Sequence, residues 1–316
     1  MQYKLKKISG DASFREFYRI QKGFKSSIIV FARKDKFKNL ITYSLVNKIL
    51  NMNGILAPKL LSNFTNENII EITDLGKISF YDFIKNKKNK LTHYKKIIDI
   101  IFKIQKIKLR KKYNFKNNQI KFEKYNIHNL HKESDLFFDW YLKYLFNKKK
   151  SKQIKAKVKK ELNKIYKCLS LKNNCFTHRD FHAANIMISG KRFGLIDSQD
   201  AIIGNPLYDV VSLVDDVRIK IPKKTKEKLF EYYLKKSRFK KGNLKDDFDI
   251  LSVQRNLKIL GIFVRLKIRD KKSNYLKFLP YTWKLIEMRL KNPIFNNLKT
   301  LIDSLISKKK RKRKKF

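Results

Sequence analysis

Apolar residues recur at two different spacings along this chain, and each spacing keeps to its own stretch. Between residues 3 and 32, three runs alternate apolar and polar side chains: "YKLKKIS", "FREFYRIQ" and "SSIIVFA". Such alternation predicts half-buried strands, here broken by turns at Gly10-Asp11 and Lys22-Gly23. Residues 38 to 53 switch to helical spacing, with Leu40, Ile41, Leu45, Val46, Ile49 and Leu50 on one stripe and Gly54 as the stop. "KLLSNF" and "NIIEIT" predict a further hairpin. After Asp74-Leu75-Gly76 the pattern is helical from "SFYDFIKN" to Leu169, including a lysine-rich linker or helix near 147 to 160. A β patch at 175 to 197 interrupts it, and helices resume to about Ile306. There are no internal repeats. The expectation is an α+β, bilobal chain. Residues 1–75 form a small β-rich lobe with one main helix, 76–306 a larger helical lobe containing the β patch, and 307–316 a disordered basic tail.

Composition narrows what such a chain does. Its 316 residues, 42% of them hydrophobic, suffice for a packed core and exclude a disordered polymer. No apolar run approaches the roughly 20 residues that span a bilayer, and the N-terminus lacks the apolar core of a signal peptide. Cys168 and Cys175 are too few for a disulfide framework or a zinc site. A reducing cytoplasm is the expected compartment. The net charge of +50 invites a nucleic-acid reading. However, only 14 of the 77 cationic side chains are Arg, and Lys is spread over almost every segment beside abundant Asn and Ile. That is the signature of A/T-rich coding rather than of a phosphate-reading face, so no specific nucleic acid is expected. The closing "KKKRKRKKF" is a solvated block free to contact RNA or an anionic lipid surface.

Against that background, "FTHRDFHAANIMISGKRFGLIDSQDA" at 176 to 201 keeps Asp180, Asn185 and Asp197 free of lysine. Phosphoryl transfer needs a nucleophile held in line and Mg²⁺ to neutralise phosphate charge, and little covalent help. An Asp facing the acceptor hydroxyl, an Asn five residues on, and an Asp at the end of the next strand meet that need. Mg²⁺ takes hard oxygen ligands and keeps waters, so two side-chain oxygens suffice. A lysine in any of these seats would repel the metal. The bland alternative is a solvated loop whose Asp and Asn make turns. His178 is expected to brace the loop as a buried structural residue. His182 is open between packing and touching a substrate.

These residues resemble the aminoglycoside phosphotransferase and choline kinase superfamily, which has a protein-kinase-like fold. "GDASFREFYRI" (10 to 20), "DLG" (74 to 76), "THRDFHAANIM" (177 to 187), "GLIDSQDAIIGNPLYDVVSLVDD" (194 to 216) and "QRNLKILGIFVRLKIRD" (254 to 270) are together similar to the bacterial anomeric kinases of N-acetylmuramate and N-acetylglucosamine. The resemblance runs from about residue 8 to 290. It implies an ATP- and Mg²⁺-dependent sugar kinase of cell-wall salvage. Asp180 would be the catalytic base, Asn185 and Asp197 would hold the metal, and Gly10, Ala12 and Ser13 would cradle the nucleotide phosphates. A plain hairpin turn is the alternative for those last three. Rival acceptors are an aminoglycoside or choline, and a rival of another class is a non-catalytic kinase-shaped protein binding RNA or membrane.

One departure stands out. Protein kinases pair a lysine on the third strand with a glutamate on the next helix. Here "IIVFARK" offers Arg33 or Lys34, and residues 38 to 51 contain no Glu. For the acceptor, "ESDLFFDWYLKYLF" offers Glu133, Asp135 and Trp140, the last either stacking on a sugar or lying in the core. Arg255 and Arg265 sit in an apolar helix and need partners, either a lactyl carboxylate of the acceptor or an internal Asp or Glu.

Overall fold

The computed structural model describes residues 4–8, 15–23, 25–33, 37–64, 66–237 and 244–311. They fall into two compact units, residues 1–123 with 175–203 and residues 124–174 with 204–316. The division does not follow the expected boundary at residue 75, and the reason is backbone pairing that local periodicity does not show. The β patch expected in the helical lobe is bonded into the sheet-bearing unit. The Ile188 amide donates to the Ile78 carbonyl at 2.9 Å and the Leu195 amide to the Leu56 carbonyl at 2.8 Å. Bridges Leu56↔Gly194 and Ser79↔Met187 reinforce them.

In the first unit the alternation becomes an antiparallel sheet of β1 (Lys4–Ile8), β2 (Glu16–Lys22), β3 (Lys25–Phe31), β4 (Leu60–Phe64) and β5 (Ile69–Thr73), in the order β1-β2-β3-β5-β4. Ile28, Val30 and Ala32 lie on one face with Ile70 and Ile72, and pack on Leu40 and Tyr43 of α1 (Phe37–Met52). Gly54, at φ +73°, ends that helix in a left-handed turn, with the Ile55 amide donating back to the Leu50 carbonyl at 3.0 Å. Two more helices follow, α2 (Phe80–Lys85) and α3 (Lys90–Gln105). Next comes a hairpin, β6 (Lys112–Phe115) and β7 (Asn118–Lys121), in a stretch expected to be helical. Its two turn residues, Lys116 and Asn117, both have positive φ, the geometry of a tight primed turn. The β patch comprises β8 (Cys175–Thr177), β9 (Ile186–Ser189), β10 (Arg192–Leu195) and β11 (Ile202–Gly204).

The second unit is helical: α4 (Ile127–Leu136), a π-helical turn at Phe137–Leu142, α5 (Lys148–Lys167), α6 (Leu207–Val214), α7 (Lys223–Lys236), α8 (Leu244–Asp270), α9 (Leu279–Arg289) and α10 (Asn296–Leu305). α8 is the spine of this unit, with buried residues on nearly every face. It reaches the junction of α4 and the π turn at Gly261, where a Cβ would stand 2.2 Å from the Leu136 carbonyl carbon and oxygen. Backbone cannot yield as a side-chain tip can. Gly261→Ala is therefore expected to destabilise the protein by about 1–3 kcal/mol as overpacking does, read as a lower urea midpoint at unchanged slope. An unchanged midpoint would show that the two helices part without cost.

The start of the expected disordered tail is ordered. Lys308–Arg311 forms α11, and the Arg311 side chain is buried. It reaches Glu287 at 2.9 Å and Asp303 at 2.8 Å, donates to the Ile302 and Ile306 carbonyls, and lies over the Trp283 ring. Arginine's flat, five-donor head satisfies several acceptors at once, which a run read only as like charges does not reveal. No helix among the described residues is long and apolar enough to cross a membrane.

Candidate active site

The loop from β8 to β9 is held by its own backbone and by two histidines. His178 is fully buried and meets the Phe181 ring edge-on at 5.8 Å, the bracing position expected of it. The His182 amide donates to the Asp180 carbonyl at 3.0 Å, and the Asn185 amide to the His182 carbonyl at 2.9 Å. The Asn185 side-chain amide then donates to the Asp180 carbonyl at 3.0 Å and contacts His182 Nε2 at 3.3 Å. With its NH₂ so engaged, the Asn185 Oδ1 is left as an acceptor. The Ile196 amide donates to the Asn185 carbonyl at 3.0 Å, so Asn185 is tied to the residue preceding Asp197.

Asp197 itself has φ +65° and ψ +38°, and Arg179 has φ +76°. Left-handed backbone is uncommon outside glycine, and it concentrates where a site needs a side chain aimed off the regular strand path. Here it turns Asp197 out of β10 at the edge of a cavity of about 320 Å³. The cavity's apolar lining comes from Ile8, Phe17, Ile28, Ile72, Leu75 and Ile196, and its polar lining includes Arg15, Asp74, Asn185 and Asp197. A mostly apolar recess with a few convergent polar groups is the usual form of a small-ligand site.

Of the three residues singled out in the central motif, Asn185 and Asp197 share this cavity. Asp180 does not line it. Its carboxylate is half-buried and makes no hydrogen bond with a described residue, while its main-chain oxygen carries the bonds to His182 and Asn185. The Asn185 and Asp197 oxygens are hard donors of the kind Mg²⁺ takes. No group of three or more His, Cys, Asp or Glu among the described residues forms a fuller metal cage. That sparse set fits a magnesium whose remaining ligands are phosphate and water.

The other expected positions fare differently. Gly10, Ala12 and Ser13 lie outside the described residues. Arg33 is exposed and does not line the cavity, because the alternation that buries Ile28, Val30 and Ala32 turns the next residue outward. The cation that does reach Asp197 is Arg15, the residue just before β2. It is buried, pairs with the Asp197 carboxylate, and donates to Gln199 Oε1 at 2.8 Å. Its guanidinium lies over the rings of Phe17 at 5.4 Å and Tyr43 at 5.6 Å. Arg15, Phe17 and Arg19 all line the cavity, as every second residue of a strand should. That parity was the available signal for Arg15.

Arg19 grips Asp74 through two bonds, 2.5 and 3.0 Å, and donates to the Gly76 carbonyl at 2.8 Å. Burial works against the Asp74 charge. The bonds from Arg19, the Gly76 amide and Ser26 outweigh it and hold the carboxyl below its ordinary range.

Trp140, Arg255 and Arg265 belong to the second unit. Trp140 is half-buried on the π turn. Arg255 is 4% exposed, its Nη1 is buried without a hydrogen-bond partner, and no carboxylate among the described residues pairs with it. Arg265 is half-buried, and burial lowers its pKa. Glu133 is committed elsewhere, bonded to Tyr125, Tyr208, Gln254 and Lys258 at 2.6 to 3.1 Å. Asp135 is paired with Lys159 at 2.9 Å.

A family model described as "Phosphotransferase enzyme family" matches residues 4–243. The chain is 27% identical over 305 residues to an N-acetylmuramate/N-acetylglucosamine kinase of Pseudomonas aeruginosa, covering 94% of this chain and 87% of that one. A kinase of the same name from Neisseria meningitidis is 25% identical, covering 86% and 81%. Among solved structures, the choline kinase LicA of Streptococcus pneumoniae superposes with a TM-score of 0.62 at 16% identity, covering 91% and 92%. The ADP-bound aminoglycoside phosphotransferase APH(2'')-Ib gives 0.61 at 13%, covering 92% and 93%. At those identities the structural likeness speaks for the fold, and the expected α+β, kinase-like fold is borne out.

Proposed function

Because the chain belongs to the phosphotransferase enzyme family, and so moves a phosphoryl group to an alcohol, we propose that its donor is ATP with Mg²⁺ and its acceptor a sugar. The anomeric oxygen of N-acetylmuramate or N-acetylglucosamine is the hydroxyl we assign. Two observations favour this reading: Asn185 and Asp197 meet at one cavity, and Asn185 is bonded to the main chain of Asp180. The names of the sequence relatives point to the sugar.

In this reading the cavity's aliphatic and aromatic lining takes the nucleobase. Asn185 Oδ1 and the Asp197 carboxylate would hold the metal, which would supply neutralisation of the charge on the transferring phosphoryl group. Asp180, whose carboxylate no described residue bonds, orients the acceptor hydroxyl and takes its proton as the oxygen attacks. The product sugar phosphate suits salvage of cell-wall amino sugars in the cytoplasm.

The test is ADP release by the purified protein with and without Mg²⁺, over N-acetylmuramate, N-acetylglucosamine, choline and an aminoglycoside. Turnover on the N-acetylated sugars, abolished by chelation, is the expected result. Turnover confined to choline or the aminoglycoside would move the acceptor. No turnover on any of them would favour a kinase-shaped binding protein.

A further inference from the structure

We propose that Arg15 is the phosphate-gripping cation of this site, and that without nucleotide it is parked on the carboxylate of Asp197. The proposal rests on the reading of the cavity as a site for a magnesium nucleotide. Of the two residues expected to stand in for a third-strand lysine, Arg33 is exposed and Lys34 lies outside the described residues, so among the described residues Arg15 is the cation placed for that role.

The cavity is lined by three cationic side chains among the described residues: Arg15, Arg19 and Lys77. Arg19 is held by Asp74 and the Gly76 carbonyl, three contacts that fix its head. Lys77 is exposed to solvent. Arg15 is different. Its side chain is 3% exposed, and its charge is answered by Asp197, a residue that the metal also claims. A buried cation that loses its anion is strongly disfavoured. One carboxylate charge cannot neutralise both a guanidinium and a divalent metal, and the nucleotide's phosphates supply the further anion.

The exchange leaves no charge unpaired. Before binding, Arg15 faces Asp197. After binding, Asp197 faces the metal and Arg15 faces phosphate. A guanidinium suits this because its fork accepts a carboxylate or a phosphate in the same two-point geometry. The Phe17 and Tyr43 rings give the flat head a surface that either partner leaves undisturbed. Gln199 Oε1, at 2.8 Å, anchors the Nη1 end while the Nη2 end turns from Asp197 to phosphate.

Calorimetric titrations of the full chain and of Arg15→Gln and Arg15→Lys, with MgADP and with adenosine, test this. Arg15→Gln should bind MgADP about 10- to 100-fold more weakly, the scale of a lost charge-assisted bond, with adenosine affinity unchanged. Arg15→Lys should recover part of the loss as a point charge. Mn²⁺ titrated alone should bind Arg15→Gln more tightly than wild type, because Asp197 is released. A purely structural Arg15 would instead weaken MgADP and adenosine alike and leave Mn²⁺ no tighter. Equal MgADP affinity in wild type and Arg15→Gln would overturn the proposal while leaving the nucleotide reading intact. A wild type that binds MgADP no better than adenosine would overturn that reading itself. If Arg15→Gln does not fold, Arg15→Lys carries the same comparison.

Discussion

Asp180→Asn is expected to lower phosphoryl transfer by about 10²- to 10⁴-fold, the contribution of a positioned general base, with the fold intact. The second half of that expectation comes from the geometry. The loop is organised by the Asp180 main-chain oxygen, which accepts from the His182 amide and the Asn185 side chain, and no described residue bonds the carboxylate. Asparagine keeps the shape and the main-chain oxygen, so stability should stay within about 0.5 kcal/mol, as for a side chain without partners. MgADP affinity should also hold, because Asp180 does not line the cavity. ADP release with the preferred sugar, thermal unfolding and MgADP titration together check it. Turnover within a few-fold of wild type would remove Asp180 from the chemistry and return the central motif to a turn-forming loop.

The elements legible in the sequence were those with purely local causes. Strands β3 and β5 announce themselves because every second residue is buried, Ile28 and Val30 on one and Ile70 and Ile72 on the other. Gly54 marks the end of α1 because its left-handed backbone suits glycine. Asp180, Asn185 and Asp197 could be singled out because a lysine-rich chain spared them, and the apolar "FGLI" delivers Asp197 to its position.

What stayed hidden depends on contacts distant in sequence. That the β patch joins the first unit rests on bridges such as Ser79↔Met187, which no periodicity encodes. The β6–β7 hairpin lies in "KYNFKNNQIK", where abundant Lys and Asn obscure the alternation. The π turn at Phe137–Leu142 abuts Gly261, whose bare Cα permits the approach. Arg15 was overlooked although the strand was found, because an inward arginine makes sense only once Asp197, far along the chain, is known to face it. Arg33 was offered beside Lys34 in place of a third-strand lysine, and counting parity from the buried Ala32 puts it outside.

Loss of Asp215 should be the most damaging single change to stability in the second unit. Asp215 is fully buried at the end of α6 and accepts from Lys226 at 2.8 Å, from Arg289 at 2.9 and 3.0 Å, and from Ser252 at 2.5 Å. Lys226 is buried as well and also donates to the Val214 carbonyl, and Arg289 continues to Asp249 at 3.1 Å. Asp215→Asn leaves the buried Lys226 facing a neutral amide and half-buried Arg289 with Asp249 as its remaining carboxylate. A broken buried ion pair costs about 3–5 kcal/mol. The pH dependence separates charge from packing. Burial opposes the Asp215 charge, but Lys226 and Arg289 overcome it and hold the carboxyl well below the usual carboxylate range. Its folded pKa is thus depressed beneath the unfolded value of about 3.9. The stabilisation is present in full above that value and is lost as pH falls through it toward the folded pKa. Urea unfolding at pH 7, 5 and 3 should therefore show Asp215→Asn far weaker than wild type at pH 7 and 5, with the gap narrowing at pH 3. A gap below about 1 kcal/mol at pH 7, or one that does not change with acid, would mean that this cluster is held by packing rather than by its charges.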